Sequence, residues 1–417
     1  MKLLWLCNMI PSCVQEKISG KKGGGLWVDH VLSDLCRQKM DIRILCPGDH
    51  VAGVVDAHCS YAGYIEGAPH VYLPQLEAQF EAELKQFCPD VIHVWGTEYG
   101  HTLAMVNAAE CAGLLNKLVV SIQGLCSVYA GHYAEGVPYA VQKRSTFRDL
   151  LRKDNILQQQ EKFALRGELE VRALEKVRHV IGRTDWDKAC TRRINPRSKY
   201  HFCNETLREA FYDGIWEYAS CRKHRIFASS CAYPVKGFHY LLEALAEVRK
   251  EYPNATLAVP GSSFVMMDTK AKLRQNSYQK YMLDLVRKYQ MEEHIEFLGH
   301  LGPEQMKQQF LLSNVFVLPS TIENSPNSLG EAMLLGVPCV SSLCGGVSTM
   351  LEHGREGLLY QSTAPYMLAH YIKQVFSMEE EAAAIGGAAR DHALMTHDPE
   401  ANLNRLLAIY AELAAHN

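Results

Sequence analysis

The chain has 417 residues, of which 47 % are hydrophobic and 21 % charged, a composition typical of a soluble globular protein with two domains. Its net charge of -3 disfavours a general nucleic-acid binder, and no apolar run reaches the roughly 20 residues that span a bilayer. The 14 cysteines form no C-x-x-C pair, which favours reduced thiols in a cytoplasmic protein over disulfides or a metal site. The N-terminal apolar run is too short for the core of a signal peptide, so none is expected.

Short β-like runs alternate with helical patterns through the first half of the chain. Such alternation predicts a parallel sheet with helices on both faces, and therefore a doubly wound α/β domain over residues 1–215. The first predicted helix is Leu26–Gln38. The predicted strands are Leu3–Cys7, Ile42–Cys46, Val91–Trp95, Lys117–Ile122 and His179–Gly182.

The stretch from Ser127 to Gly167 interrupts this alternation, since it is long, polar and basic and contains no strand pattern. Arg144, Arg148 and Arg152 stand four residues apart, beside apolar side chains. This spacing predicts a basic amphipathic helix within residues 141–165 that contacts a membrane surface or an acceptor. A solvated helix face is the alternative.

A second series of strands and helices predicts a second doubly wound domain over residues 216–398. The last segment, 399–417, has leucines at helical spacing and is predicted to pack back toward the first domain. The predicted strands are Arg225–Ser229, Ala255–Val259, Ile295–Leu298, Val315–Leu318 and Pro338–Ser341, and the predicted helices include Phe238–Arg249, Tyr281–Tyr289 and Glu304–Leu312.

Glu323 and Glu331 stand eight residues apart, after the strand Val315–Leu318 and before an apolar helical run. The order predicts one carboxylate on a loop at a strand's carboxyl end and the other in the first turn of a helix. Ligands bind at this edge of an open parallel sheet, where loop amides and the helix N-terminus favour anions. Two carboxylates that accept hydroxyls, next to anion-binding amides, suit a phosphate joined to a sugar.

Three weaker signals lie near other predicted strand ends. Lys236 and Gly237 follow the strand Arg225–Ser229, where a lysine can neutralise a diphosphate, although a surface lysine is the alternative. Gly23-Gly24-Gly25 opens the first helix, where glycines let a phosphate approach, or forms a flexible loop. Gln123 ends a first-domain strand and can bond a sugar hydroxyl or simply belong to a turn. No Asp-x-Asp motif flanked by strand patterns is present, so no metal that grips a diphosphate is expected.

Taken together, these segments resemble the retaining glycosyltransferases of family 4, which have the GT-B fold. The resemblance implies two Rossmann-like domains that face a central cleft, with the C-terminal helix crossing back. It covers most of the chain and is strongest in the second half. The motifs that carry it are Lys236-Gly237, the E-x7-E string from Glu323 to Glu331, Ala332 to Pro338, Gly345-Gly346, Glu352 and Gly357, and more loosely Gly23-Gly24-Gly25, Pro89 to His93 and Ser121 to Gly124.

The resemblance also implies roles for single residues. Glu323, Lys236 and Gln123 would be catalytic, with Glu323 on the donor sugar and Lys236 on the diphosphate, while Glu331 would hold the ribose. Gly23 and Gly24 would lie against the distal phosphate from the other domain. The remaining predicted donor-binding residues are Ser230, Gly261, Asn324, Ser325, Asn327, Ser328 and Leu329.

Two positions depart from the family pattern. Ser230 stands where members usually carry an arginine, which leaves the cationic clamp one charge short unless Arg183 or a similar residue substitutes. Gln123 stands where members often have a histidine, so this side chain can donate a hydrogen bond but cannot titrate.

The sequence therefore predicts a cytoplasmic transferase, peripheral at the inner face of the membrane if the basic helix binds there. It would move a sugar from a nucleotide diphosphate sugar to a saccharide or lipid-linked acceptor. A UDP-sugar is the favoured donor, and a GDP-sugar is the alternative. Retention of anomeric configuration, no cofactor or metal, and a role in cell-surface polysaccharide biosynthesis are expected. The alternatives are a nucleotide-sugar epimerase of the same fold and an inactive saccharide-binding relative.

Overall fold

Apolar runs separated by helical segments fold into two sheets, one in each of two units. The structure is a computed structural model that describes residues 1–21, 26–49, 51–265 and 272–415. The first unit consists of Met1–Ala130, Lys162–Arg208 and His397–Asn417, and the second of Gly131–Glu161 and Glu209–Thr396. This division differs from the predicted one, because residues 131–161 belong to the second unit and the later boundary falls after Arg208.

In the part of the first unit that the structure describes, eight strands form one sheet in the order β3-β4-β2-β1-β5-β6-β7-β8. The pairs are parallel except for β3, which runs antiparallel to β4. The strands are β1 (Lys2–Cys7), β2 (Asp41–Pro47), β3 (Ala52–Val54), β4 (Cys59–Tyr64), β5 (Val91–Trp95), β6 (Leu118–Ser121), β7 (His179–Gly182) and β8 (Lys199–Phe202).

Helices cover both faces of this sheet, which is why β1 is apolar on both sides. Leu4 and Leu6 point into one core, whereas Leu3 and Trp5 point into the other. The helices are Ser12–Ser19, Trp27–Arg37, Gln75–Phe87, Gly100–Cys111, Cys126–His132, Ile156–Leu174, Asp185–Ile194 and Pro399–Ala415; those at 126–132 and 156–174 cross the boundary between the units.

The C-terminal helix Pro399–Ala415 is part of the first unit and packs on its sheet. Leu406, Ile409 and Leu413 enter the same core as Trp5. The Tyr410 hydroxyl accepts a hydrogen bond from Trp5 Nε1 at 3.2 Å and lies 2.6 Å from Nδ1 of His93. Apolar burial and a buried hydrogen-bond network therefore attach this helix to the central strands.

The second sheet is parallel, and its described strands lie in the order β11-β10-β9-β12-β13-β14. They are β9 (Arg222–Phe227), β10 (Thr256–Val259), β11 (Ile295–Phe297), β12 (Ser313–Leu318), β13 (Cys339–Leu343) and β14 (Leu358–Gln361). The helices are Tyr139–Gln142, Phe147–Arg152, Phe238–Val248, Ser277–Lys288, Pro303–Leu311, Asn327–Leu334, Val347–Met350, Pro365–Ser377 and Glu380–Thr396, with a 3-10 turn at Pro234–Lys236.

A buried aspartate attaches the segment 131–161 to the second unit. Asp149 accepts hydrogen bonds from the backbone N–H groups of Ser277 at 2.8 Å and Thr146 at 3.1 Å, and it pairs with Arg148 at 3.1 Å. The predicted amphipathic helix through Arg144 is wrong in its extent, because the helix begins only at Phe147, after the N-cap Thr146.

The two sheets, which are parallel except for β3, confirm the prediction of two doubly wound α/β domains. Four strands escaped the sequence prediction: β3, β4, β8 and β14. These are short or carry glycine, serine and charged residues, which break an apolar run. Among the residues that the structure describes, no helix is both long and apolar enough to cross a membrane.

Candidate functional site

Lys236 and Glu323 meet at the topological switch point of the second sheet. Strand β9 is followed in the sheet by β10 on one side, whereas β12 lies on the other side, so the chain changes direction between β9 and β12. Loops diverge at such a point and leave a crevice at the carboxyl ends of the strands. Lys236 follows β9 and Glu323 follows β12, and Nζ lies 2.6 Å from Oε1.

Glu323 is held in place from several sides. It is only 5 % exposed, and its Oε1 accepts a hydrogen bond from Ser320 Oγ at 2.7 Å. Its carbonyl oxygen accepts from the backbone N–H of Gly346 at 3.0 Å. Gly345 has φ +49°, and a Cβ there would lie far inside 3.0 Å of that carbonyl oxygen, so only glycine fits.

Gly237 brings the loop after β9 against the loop after β12. Its φ of +64° starts the helix Phe238–Val248, and a Cβ would collide with the carbonyl oxygen of Pro319. This close approach places the preceding Lys236 within reach of Glu323. A glycine is therefore required directly after Lys236, because any larger residue would collide with the carbonyl oxygen of Pro319.

The helix after Glu323 begins earlier than predicted, at Asn327, and ends at Leu334. Glu331 therefore lies in the second turn and not in the first, as the sequence suggested. Asn324 and Glu331 are buried, while Asn327 and Ser328 are half-buried in the first helical turn.

The first N–H groups of a helix have no partner within it, which makes this turn suited to an anion. The other predicted loop residues lie in the same place: Ser325 Oγ is 3.5 Å from Met350 Sδ, and Leu329 is buried in the first turn. The structure thus brings Lys236, Glu323 and residues 324–331 together.

Ser230 and Gly261 line a cavity of about 490 Å³ in the second unit. The cavity lies beyond the carboxyl ends of β9, β10 and β11, and Phe264 and Gln279 also line it. The backbones of Gly261 and Gly299 hydrogen-bond to each other at 2.8 and 3.1 Å, and a Cβ at either position would meet nothing within 4 Å. The space is large enough for a planar heterocycle.

Gln123 lies in the first unit, where its amide group bonds to Glu205 and Arg183. Its Nε2 donates to Glu205 Oε1 at 2.6 Å, and its Oε1 accepts from Arg183 Nη2 at 3.3 Å. Arg183 Nη1 also pairs with Glu205 Oε2 at 2.6 Å. Burial raises the pKa of Glu205, while Arg183 opposes that rise. Arg183, the suggested substitute for the missing cation, thus already has a carboxylate partner.

The other donor-binding residues predicted in the first unit, Gly23 and Gly24, lie outside the described residues.

A second polar cluster, which the sequence analysis did not identify, lies at the switch point of the first sheet. Asn8 follows β1, and Gly96 and Glu98 follow the neighbouring strand β5. A Cβ on Gly96 would meet Glu98 Oε2 at 2.5 Å, Asn8 Nδ2 at 3.3 Å and Gln123 Cγ at 3.7 Å. Three polar side chains therefore surround a position that glycine keeps open.

The ring of Tyr129 adds an aromatic wall near this cluster. A Cβ on Gly124 would lie 3.4 Å from the ring and 3.5 Å from Glu98 Oε1. Burial raises the pKa of the Glu98 carboxyl to about 7, with the charge of Glu170 as a further cause. We name Asn8, Gly96, Glu98, Gln123, Gly124 and Tyr129 the first-unit polar cluster. Polar residues follow Trp95 at the end of β5. The strand-end rule that singled out Glu323 could therefore have identified this cluster from the sequence.

The family match lies in the second half of the chain. Residues 222–392 match the family described as "Glycosyl transferases group 1". Spore coat protein SA of Bacillus subtilis is 26 % identical over 178 residues, which are 42 % of this chain and 45 % of that protein. Glycogen synthase of Mycobacterium tuberculosis is 28 % identical over 155 residues, 37 % and 34 % of the two chains. The chain thus spans less than half the length of these relatives.

Solved structures resemble the whole chain. Sucrose-phosphate synthase from Thermosynechococcus elongatus has a TM-score of 0.72 at 16 % identity, with 100 % of both chains covered. HepE of Anabaena, in complex with UDP and glucose, has a TM-score of 0.68 at 17 % identity, with 99 % of both chains covered. The chain therefore has the GT-B fold of glycosyltransferases, and its residues 222–392 carry the sequence pattern of the group 1 glycosyl transferases.

Proposed function

We propose that this protein is a glycosyltransferase that moves a sugar from a nucleotide diphosphate sugar to a saccharide or lipid-linked acceptor. The observation that carries the proposal is the Lys236–Glu323 pair at the switch point of the second sheet. The pair lies within the residues that match the group 1 glycosyl transferases. HepE, of the same fold, has been solved with UDP-glucose, which favours a UDP-sugar as donor.

In the proposed donor complex, the diphosphate replaces Glu323 as the partner of Lys236. The ammonium and the first-turn amides of Asn327 and Ser328 would balance its charge, so we expect transfer without a metal ion. Released from Lys236, the Glu323 carboxylate accepts hydrogen bonds from the donor sugar, and Glu331 accepts them from the ribose. The cavity at Ser230 and Gly261 would take the base.

We further propose that transfer retains the anomeric configuration. The bond between the anomeric carbon and the phosphate oxygen breaks, and the acceptor oxygen forms its bond on the same face. The acceptor proton passes to the leaving diphosphate, which therefore acts as the base. The protein then contributes alignment and charge stabilisation. Lys236, which contacts Glu323 in the structure, is the cation that would stabilise the leaving diphosphate.

The first-unit polar cluster has the chemistry of a saccharide site. A carboxyl and two amides can exchange hydrogen bonds with several hydroxyls, and an aromatic ring such as that of Tyr129 can pack against a sugar ring. Gln123 belongs to this cluster through its Cγ contact, which supports its predicted role beside a sugar. We propose that the acceptor saccharide binds here.

An exposed apolar patch on the segment 131–161 supports the proposal that the protein contacts a membrane. Membrane contact would bring it to a lipid-linked acceptor, as in polysaccharide biosynthesis. Its side chains are each more than 60 % exposed, and Lys143, Arg152 and Lys153 stand among them. Apolar side chains within a basic surface fit the headgroup region of an anionic bilayer. The apolar members, which we name the 139–151 patch, are Tyr139, Phe147, Leu150 and Leu151.

The membrane proposal is tested with vesicles of phosphatidylglycerol and phosphatidylcholine. We expect the double substitution Leu150→Ser and Leu151→Ser to reduce co-sedimentation with the anionic vesicles severalfold. Tyr366→Ser is the control, since Tyr366 is 68 % exposed in the same unit but lies outside the patch. Equal vesicle binding by both variants and the unchanged protein would contradict the membrane proposal.

The donor is tested by calorimetric titration and thermal unfolding with UDP-, GDP- and ADP-sugars. A donor at 100 times its Kd stabilises the protein by about 2.7 kcal/mol. Glu331→Gln should weaken donor binding, whereas Glu304→Gln, at an exposed helix position, should not. If no nucleotide sugar binds, or if Glu331→Gln binds it unchanged, the donor-site assignment is wrong.

The reaction itself is tested by incubating the donor with saccharide acceptors and analysing the products by nuclear magnetic resonance. A product linkage of the same anomeric configuration as the donor supports retention, and an inverted linkage contradicts it. Isomerisation of the donor sugar without an acceptor would indicate an epimerase. Donor binding with neither hydrolysis nor transfer would indicate an inactive saccharide-binding protein. Loss of transfer in EDTA, restored by Mg²⁺ or Mn²⁺, would contradict a metal-independent reaction.

A further inference from the structure

Two histidines and a glutamate come together in the first unit, on β7, β8 and the C-terminal helix. His179 is the first residue of β7, and His201 lies in β8. The strands pair His179 with Lys199 and Ile181 with His201, so the two histidines are two register positions apart on the same face. Ile181 on that face packs into the core that the helix Pro399–Ala415 covers, and this helix carries Glu412.

The potential ligand atoms are already close to each other. Nδ1 of His179 lies 3.1 Å from Nε2 of His201. One ring nitrogen of each histidine and a carboxylate oxygen of Glu412 all lie within 4.8 Å of one another. Two nitrogens bound to a tetrahedral zinc at about 2.0–2.1 Å are roughly 3.3 Å apart. The two histidine nitrogens therefore already stand at nearly the spacing that a shared ion requires. Rotation of both rings would turn their lone pairs from each other toward that ion, and Glu412 would complete the ligand set.

We propose that His179, His201 and Glu412 bind one divalent transition-metal ion of the zinc type, with water as the fourth ligand. Two imidazoles and one carboxylate form a common zinc ligand set. Both histidines are buried, and Glu412, with 35 % of its side chain exposed, lies on the solvent side. The ion would join the C-terminal helix to β7 and β8 and so stabilise the first unit. This site is separate in residues from the donor site, for which no metal was expected.

An exposed lysine competes with the metal for the carboxylate. Lys199 Nζ lies 2.6 Å from Glu412 Oε1, and its side chain is 56 % exposed. Exposed ion pairs contribute little to stability, so a divalent ion can displace this ammonium. Arg405 does not compete in the same way, because its Nε donates to the carbonyl oxygen of Phe202 at 3.0 Å. Removing Lys199 should therefore preserve or strengthen metal binding.

The proposal is tested on the full chain after treatment with a chelator and dialysis under reducing conditions. Zn²⁺ and Co²⁺ are titrated in a calorimeter, with Mg²⁺ as a hard cation that prefers oxygen ligands. The variants are His201→Gln and Glu412→Gln, which remove ligands, and Lys199→Gln, which removes the competitor. His58→Gln, an exposed histidine paired with Asp41 in the same unit, is the matched control.

We expect the unchanged protein and His58→Gln to bind one more equivalent of Zn²⁺ than His201→Gln and Glu412→Gln. Loss of a ligand should weaken that equivalent more than about 100-fold, since even outer-sphere partners are worth 10–100-fold. Zn²⁺ should also raise the melting temperature of the unchanged protein and of Lys199→Gln, but not of Glu412→Gln. Binding by the 14 cysteines is common to all variants and cancels in the comparison.

Glu412→Gln keeps the proposal testable if His201→Gln does not fold, because Glu412 is partly exposed. Equal Zn²⁺ stoichiometry in Glu412→Gln and the unchanged protein would overturn the proposal. The cluster would then be only a hydrogen bond between two histidines beside a Lys199–Glu412 ion pair.

Discussion

Replacement of Gly345 by alanine tests how closely the proposed donor site depends on backbone packing. Gly345 has φ +49°, and its Cβ position lies far inside 3.0 Å of the carbonyl oxygen of Glu323, with the carbonyl carbon and amide nitrogen of Glu323 at 3.0 and 3.3 Å. These atoms are backbone, so the loop that carries Glu323 must move away. Gly354 is the matched control, since its φ is +78° but a Cβ there meets nothing within 4 Å.

The two substitutions differ only in the collision. A left-handed conformation costs alanine about 1–2 kcal/mol, and the lower entropy of the unfolded chain returns about 0.4–1 kcal/mol. Gly354→Ala should therefore reduce the free energy of unfolding by about 1 kcal/mol. Gly345→Ala adds an overpacking cost of about 1–3 kcal/mol and should reduce it by about 2–4 kcal/mol.

The displacement of the Glu323 loop should weaken donor binding in Gly345→Ala but not in Gly354→Ala. Loss of one charge-assisted hydrogen bond from Glu323 corresponds to about 1.5 kcal/mol, or roughly tenfold in Kd. Denaturant unfolding of each variant gives the stability, and titration with the nucleotide sugar identified for the unchanged protein gives the affinity.

Equal stability of Gly345→Ala and Gly354→Ala would refute the backbone contact between Gly345 and Glu323. Unchanged donor affinity in a destabilised Gly345→Ala would keep the contact but refute the position of Glu323 in the donor site. The two measurements thus separate an error in the packing from an error in the proposed function.

Three further predictions concern single side chains. Lys236→Ala should reduce transfer turnover roughly 100-fold, whereas Lys250→Ala, an exposed lysine, should not; near-normal turnover would remove Lys236 from the mechanism. Because the folded-state pKa of Glu98 is raised from 4.5 to about 7, the folded protein keeps this proton longer than the unfolded chain, so stability should fall as the pH rises through that interval. Glu98→Gln should flatten the fall in denaturation experiments at several pH values, and an unchanged slope would contradict the raised pKa. Asp149→Ala should lower the free energy of unfolding by about 3 kcal/mol, since it leaves the buried N–H of Ser277 without its carboxylate; a change below about 1 kcal/mol would contradict that anchor.

The sequence predicted that Lys236 and Glu323 lie near each other, because the relevant information is local. Apolar runs identified β9 and β12, and the strand-end rule placed Lys236 and Glu323 at one sheet edge. The start of the next helix was harder to predict. Pro326 is tolerated just before the first turn, so the helix begins at Asn327, several residues before the apolar run, and Glu331 moves to the second turn.

Other features depend on contacts between residues far apart in the chain. The buried Asp149 reaches the amide of Ser277, 128 residues away, so local periodicity could not show that residues 131–161 belong to the second unit. The first-unit polar cluster likewise needs Asn8, Glu98 and Gln123 from three different strand ends.

The sequence by itself determined the two series of strands, the apolar faces and the lysine and glutamates that stand at strand ends. Hydrophobic periodicity and backbone sterics act over a few residues, so their effects can be predicted from short segments of the sequence. Only the tertiary structure decided which strand ends are neighbours, and therefore that Lys236 contacts Glu323 and that His179, His201 and Glu412 converge. Strand order and helix packing arise from burial summed over whole sheets, to which no short segment of sequence corresponds.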